Sequence, residues 1–170
     1  MTDWPAVVRE YGPLVWRTAY RLVGNDADAA DCFQKTFLAA IELAVAGPVR
    51  HWGGALKRLA TARGLDLLRA RHRAAARGGE LAADPPDPRP ADPLDGAAAG
   101  ELAGRLRSAL AALDPLPAEV FCLVALDGLS NTEAAAQLGI TVNHAGVLLH
   151  RARAALRDRL RAFDPAGEPP

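Results

Sequence analysis

A chain of 170 residues that is half apolar but only 5% aromatic must build its core from Ala, Leu and Val, which excludes an aromatic-rich β-sandwich and favours closely packed helices. The 20 basic and 20 acidic side chains cancel overall, yet residues 50–77 hold 8 basic groups against 1 acid, the footprint of a phosphate-facing surface rather than of a neutral protein. Two distant cysteines in apolar patterns, no leader-like start and no apolar run near 18 residues predict buried free thiols in a soluble, cytoplasmic protein without a membrane partner.

Residues 3–23 carry helical spacing with a break or kink expected at Gly12-Pro13, and Leu14, Val15, Ala19 and Leu22 supply a packing face. Gly24-Asn25 is a turn, and Asp26 is the expected cap of a helix over residues 27–45. On that helix Ala30, Phe33, Phe37, Ala40, Ile41 and Ala44 make the predicted buried stripe. Asp28, Asp31, Lys35 and Glu42 share the opposite side, with Gln34 and Leu38 flanking; by pattern alone this is a solvated face. Gly47-Pro48 stops the helix, and the basic segment follows. There Trp52, Leu56, Leu59, Ala60 and Leu67 share one face while Lys57, Arg58, Arg69 and His72 point elsewhere. Gly53-Gly54 costs about 1–2 kcal/mol of helix stability relative to two alanines, so a loose first turn is expected. A one-sided basic helix that starts on a tryptophan suits nucleic acid.

Residues 77–96 contain five prolines, three glycines, five acids and two arginines. That composition buries nothing and reads as an extended tether, able to span roughly 60 Å at about 3.1 Å per residue. Helical pattern resumes over residues 97–113 through Leu102, Leu106, Ala109, Leu110 and Leu113. The expected architecture is therefore all-α: a helical domain over 1–76, a flexible acidic Pro-rich linker over 77–96, a second helical domain over 97–164 and a tail over 165–170.

The second domain closes on a recognisable pattern. Residues 118–126 carry Val120, Phe121, Leu123 and Val124 at helical spacing, and Gly128 stops them. Ser130-Asn131-Thr132-Glu133 spells a capping box, Gly139 closes the short helix it opens, and Thr141 caps a longer one reaching about residue 160. Short helix, glycine turn and longer helix spell a helix-turn-helix, whose last helix enters the DNA major groove. Val142, Ala145, Leu149, Ala152, Leu156 and Leu160 form its expected buried stripe. Thr141, Asn143, His144, Val147, His150 and Arg151 are left for base edges and phosphates.

No enzyme is expected. There is no nucleophile elbow and no glycine-rich phosphate loop. His51, His72, His144 and His150 lack partners at zinc spacing, so neither a metal nor another cofactor nor a small-molecule substrate is expected.

In order, LVWRTAYRLVGNDADAADCFQKTFLAAI, VRHWGGALKRLATARGLDLLRARHR, LPAEVFCLVALDGLS, AAAQLGIT and LLHRARAALRDRL, with a Pro-rich tether between the second and third, resemble the extracytoplasmic-function sigma factors. These are the small initiation subunits of bacterial RNA polymerase. The resemblance implies that Asp28, Asp31, Gln34, Lys35 and Leu38 dock on the core polymerase. It implies that Arg50, His51, Trp52, Lys57, Arg58 and Arg63 belong to the part that opens and reads the −10 element, with a flipped base held in a protein pocket. Residues Thr141 to Arg151 would then read the −35 element. The implied partners are core polymerase and promoter DNA, with room for an anti-sigma factor. Lys35 stands where the family usually has a glutamate, and Gly146 and Leu148 stand where basic residues are common, which predicts weaker phosphate anchoring. GLSNTEAAAQLGITVN also resembles the helix-turn-helix of quorum-type response regulators, a reading that leaves residues 1–73 as a partner or sensor domain. A helical adaptor that never touches DNA is the third alternative.

Overall fold

The computed structural model describes residues 2–78 and 93–161. Among them are seven α-helices and no strand: α1 (Trp4–Val23), α2 (Asp26–Ala46), α3 (Trp52–Ala76), α4 (Pro93–Ala111), α5 (Pro115–Phe121), α6 (Asn131–Leu138) and α7 (Val142–Arg161). A single π turn, Cys122–Leu126, continues α5. Most of the predicted tether lies outside the described residues, as does the tail. Its last part is not linker but the first turn of α4, which starts at Pro93 rather than near residue 97. Proline at the first position of a helix loses no hydrogen bond and presets φ.

Helices α1–α3 form the first lobe. The expected break at Gly12-Pro13 does not occur: α1 runs through Pro13. Val15, Ala19, Leu22 and Val23 are buried beyond it, and that packing offsets the lost backbone bond. Asp3 caps α1, accepting from the Ala6 N–H at 3.1 Å. The cap of α2 is Asn25, not Asp26; its Oδ1 accepts from the Asp28 N–H at 2.9 Å. Asp26 instead sits in the first turn, where a carboxylate favours the positive end of the helix dipole. The buried face of α2 is Ala29, Cys32, Thr36, Phe37, Ala39 and Ala40. Ile41, expected in the core, is 42% exposed.

Gly53 and Gly54 do not loosen α3, because they serve as contact surfaces for neighbours: a Cβ on Gly53 would meet the Tyr11 ring at 3.2 Å. Trp4 and Trp52 meet edge-on at 5.2 Å over a cluster of Val7, Val15, Phe37, Ala40, Leu56 and Ala60. Each fully buried leucine here is worth about 1.5–3 kcal/mol of transfer free energy.

The second lobe packs α5 and α6 on α7. Helix α5 starts three residues before the expected position, on Pro115, and α4 leaves Leu102 58% exposed while burying Ala109, Leu110 and Ala111. On α7 the predicted stripe is rotated. Val142 is 47% exposed, while Leu148 is buried beside Leu149 and Val120. Leu148 is therefore a core side chain and not a missing phosphate anchor. A period of 3.6 leaves stripe-edge residues ambiguous until the neighbouring helix chooses between them.

The lobes are not apart. One cluster joins Ala19, Leu22, Val23, Ala29, Cys32, Leu65 and Leu68 of the first to Ala109, Leu110, Ala118, Cys122 and Leu156 of the second.

Candidate nucleic-acid interface

The helix-turn-helix is built by local chemistry. Ser130 Oγ accepts the Glu133 N–H at 3.2 Å, and the Glu133 carboxylate accepts the Ser130 N–H at 2.8 Å. The Ser130 N–H and the Ser130 hydroxyl, which also donates to that carboxylate at 2.8 Å, hold the Glu133 carboxyl below its ordinary value, and Lys57 adds to the effect. At the other end of α6, Gly139 takes φ +67°, the left-handed conformation that costs glycine nothing. The Ile140 N–H then bonds the Ala135 carbonyl at 3.1 Å, the closure expected of a glycine-terminated helix. Thr141 Oγ1 accepts the His144 N–H at 3.2 Å and starts α7.

Caps at both ends of the turn fix which side of α7 is free. Ala145, Leu148, Leu149, Ala152 and Leu156 are buried, and Thr141, Asn143, His144, Val147, His150 and Arg151 are all exposed. These six predicted contacts thus lie together on the uncovered surface of one helix and its cap. Amide, imidazole and guanidinium groups there can donate to base edges and phosphates, and Val147 offers an apolar contact to a thymine methyl.

The residues expected at the −10 element are not brought together in the same way. Arg50 and His51 are exposed just before α3. Trp52 is half-buried against Trp4. Lys57 and Arg58 are half-buried on α3, within electrostatic range of Glu133 and Glu119 respectively. Arg63 lines a pocket with Lys35 and Leu38 of α2 and lies 3.5 Å from the Asp66 carboxylate of its own helix. Beside the loop between α2 and α3, Trp4, Ile41, Val45, Pro48, Val49 and Trp52 line an open groove of about 550 Å³.

On α2, Gln34, Lys35 and Leu38 are exposed and Asp28 and Asp31 partly so. Lys35 Nζ sits 2.7 Å from Asp31, while Asp28 pairs with Arg71 and accepts from Asn25 Nδ2 at 3.2 Å. Lys35 thus forms an i,i+4 pair along its own helix. Leu38, Ile41 and Val45 are 61%, 42% and 84% exposed, an uncovered apolar strip of the kind that marks an interaction face. Sequence reasoning found Leu38 but assigned Ile41 to the core and passed over Val45. The signal was present, since apolar residues at 38, 41 and 45 follow helical spacing beside the buried stripe.

Burial pushes the thiols of Cys32 and Cys122 up to about 11 and about 12. Neither is poised to react. Among the described residues no group of three or more His, Cys, Asp or Glu is placed to hold a metal ion, and no helix is long and apolar enough to cross a membrane.

Two family models match the chain: sigma-70 region 2 over residues 7–46 and sigma-70 region 4 over residues 103–156. The chain is 32% identical over 163 residues to the ECF RNA polymerase sigma factor SigE of Mycolicibacterium smegmatis, covering 94% of this chain and 62% of that relative's length. Among solved structures it is similar to CnrH, determined in complex with the cytosolic domain of CnrY, at 27% identity and a TM-score of 0.59 over 94% of this chain and 88% of that one. The sigma factor RpoE of Bartonella quintana, co-crystallised with the anti-sigma factor NepR, shares the fold at a TM-score of 0.58 and 19% identity, over 96% of this chain and 100% of that one.

Proposed function

The chain belongs to the extracytoplasmic-function branch of the sigma-70 family, and from that premise we propose that it confers promoter specificity on a bacterial RNA polymerase. The observation that carries this reading is the pairing of two surfaces in one chain. Helix α7 exposes Asn143, His144, Val147, His150 and Arg151 together, and α2 exposes Leu38 beside Gln34 and Lys35.

In this reading the α2 face docks on the core enzyme. Its apolar strip supplies the buried contact, and Asp31, Gln34 and Lys35 supply the polar rim. Helix α7 enters the −35 major groove. The groove walled by Trp4 and Trp52 takes an unstacked base of the −10 strand, because an aromatic wall binds the face of any base. Lys57, Arg58 and Arg63 follow the strand backbone. A partner of the anti-sigma class, as seen with the Bartonella relative, suits the same reading. The match of residues 7–46 to sigma-70 region 2 accounts for much of residues 1–73, which a stand-alone regulator leaves without a role.

The test is retention of core RNA polymerase by the tagged protein, followed by permanganate mapping of unpaired thymines on promoter DNA. Retention and opening are expected together, and Trp52→Ala is expected to abolish opening while sparing retention. Tight sequence-specific duplex binding without core, and no retention of core, would favour the stand-alone regulator instead.

A further inference from the structure

Between α1 and α4 the two lobes leave an open cavity of about 650 Å³, a volume typical of small-molecule sites. Tyr20 of α1, Leu106 of α4 and Leu126 of the π turn line it, and each packs on the shared core while staying half-buried. Trp16 adds an aromatic wall. Its ring meets Phe33 edge-on at 6.2 Å, yet the residue is still 39% exposed. An indole and a phenol beside leucines give a surface on which a flat apolar body leaves water.

Around this apolar lining stand Arg17, Arg21 and Arg107. Two of them are held by the fold. Arg107 Nε donates to the Leu22 carbonyl at 3.1 Å. Its guanidinium fills the space left by Gly24, which takes φ +80° and where a Cβ would run into that group. Arg21 donates to the Leu126 carbonyl at 2.7 Å and forms an ion pair with Asp127, so its charge is balanced. Arg17 is different: it is exposed and has no hydrogen-bond or ion-pair partner among the described residues. Asp26 also lines the cavity, but it sits in the first turn of α2, whose positive end offsets its charge.

We propose that this cavity binds a small organic anion with a flat apolar body, such as an aromatic carboxylate or sulfonate. The rings lie against Trp16, Tyr20 and Leu106, and the acid group takes its hydrogen bonds from Arg17, whose planar fork matches two acidic oxygens. Arg107 adds positive charge beside it. An inorganic anion leaves the apolar lining wet, and a neutral aromatic leaves Arg17 unused, so neither fits as well. Trp16, Arg17 and Tyr20 belong to the first lobe, and Leu106, Arg107 and Leu126 to the second. The site is therefore complete only where the lobes meet, and its occupancy favours their contact. Nothing in this inference depends on α3 or α7 touching DNA.

The test titrates the full chain with anilinonaphthalene sulfonate, whose fluorescence rises on leaving water, and with phenylnaphthylamine, the same ring system without the acid group. A single saturable phase is expected for the sulfonate, with the neutral dye about tenfold weaker, the worth of one charge-assisted hydrogen bond. Arg17→Gln, at an exposed side chain with no partner to lose, is expected to weaken the sulfonate by the same factor and to leave the neutral dye unchanged. Equal affinity for the two dyes, or a sulfonate indifferent to Arg17→Gln, would overturn the proposal.

Where the sulfonate sits is read from the indole N–H resonances of the three tryptophans. The Trp16 signal is expected to move through the titration while those of Trp4 and Trp52, which line the groove beside the α2–α3 loop, stay still. Movement of Trp4 and Trp52 without Trp16 would put the dye in that groove and sink the assignment. The thermal midpoint of the chain is also expected to rise with sulfonate concentration, and to rise less in Arg17→Gln. A midpoint that never rises would mean that the dye has no preference for the folded chain, and no such site exists.

Discussion

Helices α3 and α7 both carry candidate DNA contacts, yet α7 and its Thr141 cap hold their six in the open while Lys57 and Arg58 of α3 are half-buried. The difference follows from what each helix packs on. Helix α7 spends one stripe on its own lobe, so its outer side is free. Helix α3 is the centre of the molecule: α1 and α2 take one side, and α4, α5 and α6 close on another. A central helix buries part of whatever lies around its circumference, however basic its sequence. Charge content is therefore a poor guide to availability.

The change with the largest expected effect removes the platform behind α7. Leu148→Ala is expected to cost about 2–5 kcal/mol, and Leu148→Lys at least as much, measured as loss of the thermal transition of the second lobe. If Lys were tolerated there and strengthened duplex binding, Leu148 would belong to the DNA face after all and the comparison would fail.

Next in size, Arg151→Ala is expected to weaken −35 duplex binding of the polymerase complex by about 1–3 kcal/mol if it reads a base edge. Arg58→Ala is expected to leave single-strand binding by the free protein nearly unchanged and to impair promoter opening by the complex. Equal losses for Arg58→Ala in both assays would mean that α3 is as open as α7.

A smaller change addresses the turn that orients α7. Ser130→Ala is expected to cost about 1 kcal/mol of stability. The Glu133 carboxyl is lowered in the folded state. Its contribution is therefore present above the ordinary carboxylate value and is lost as pH falls through the folded one. Acid unfolding of Ser130→Ala is accordingly expected to lose that component, a difference visible only on the acid limb of a stability profile.

The smallest effect at neutral pH involves the thiols. Cys122 lies in the shared core and is held at about 12 by burial, with Cys32 at about 11. A raised thiol stabilises the fold fully below the ordinary value of 9.0 and loses that contribution as pH rises through the folded one. Neither cysteine is expected to react readily with an aromatic disulfide reagent at pH 8 in the wild-type protein. In Arg21→Glu, Cys122 is expected to react faster. Unchanged protection would show that the lobes had not parted.

Much of this was legible from residue order, because it depends on neighbours along the chain. The capping box at Ser130–Glu133, the left-handed Gly139 and the Thr141 cap act within three or four residues, so the helix-turn-helix and the exposure of Asn143, His144, His150 and Arg151 follow from short-range chemistry. The all-α class follows equally from periodicity and from the shortage of aromatic residues. What only the tertiary structure decided are the questions that a 3.6-residue period leaves open. It drew Leu148 inward and left Val142, Ile41 and Leu102 exposed, since a stripe-edge side chain goes wherever a neighbouring helix offers room. It carried α1 across Pro13, because packing beyond the proline outweighs one missing hydrogen bond. It also set Arg21 against Asp127 and Gly54 against Gln137, pairs more than eighty residues apart in sequence. No local pattern encodes such contacts, because they arise only when apolar faces of two separate lobes find it favourable to leave water together.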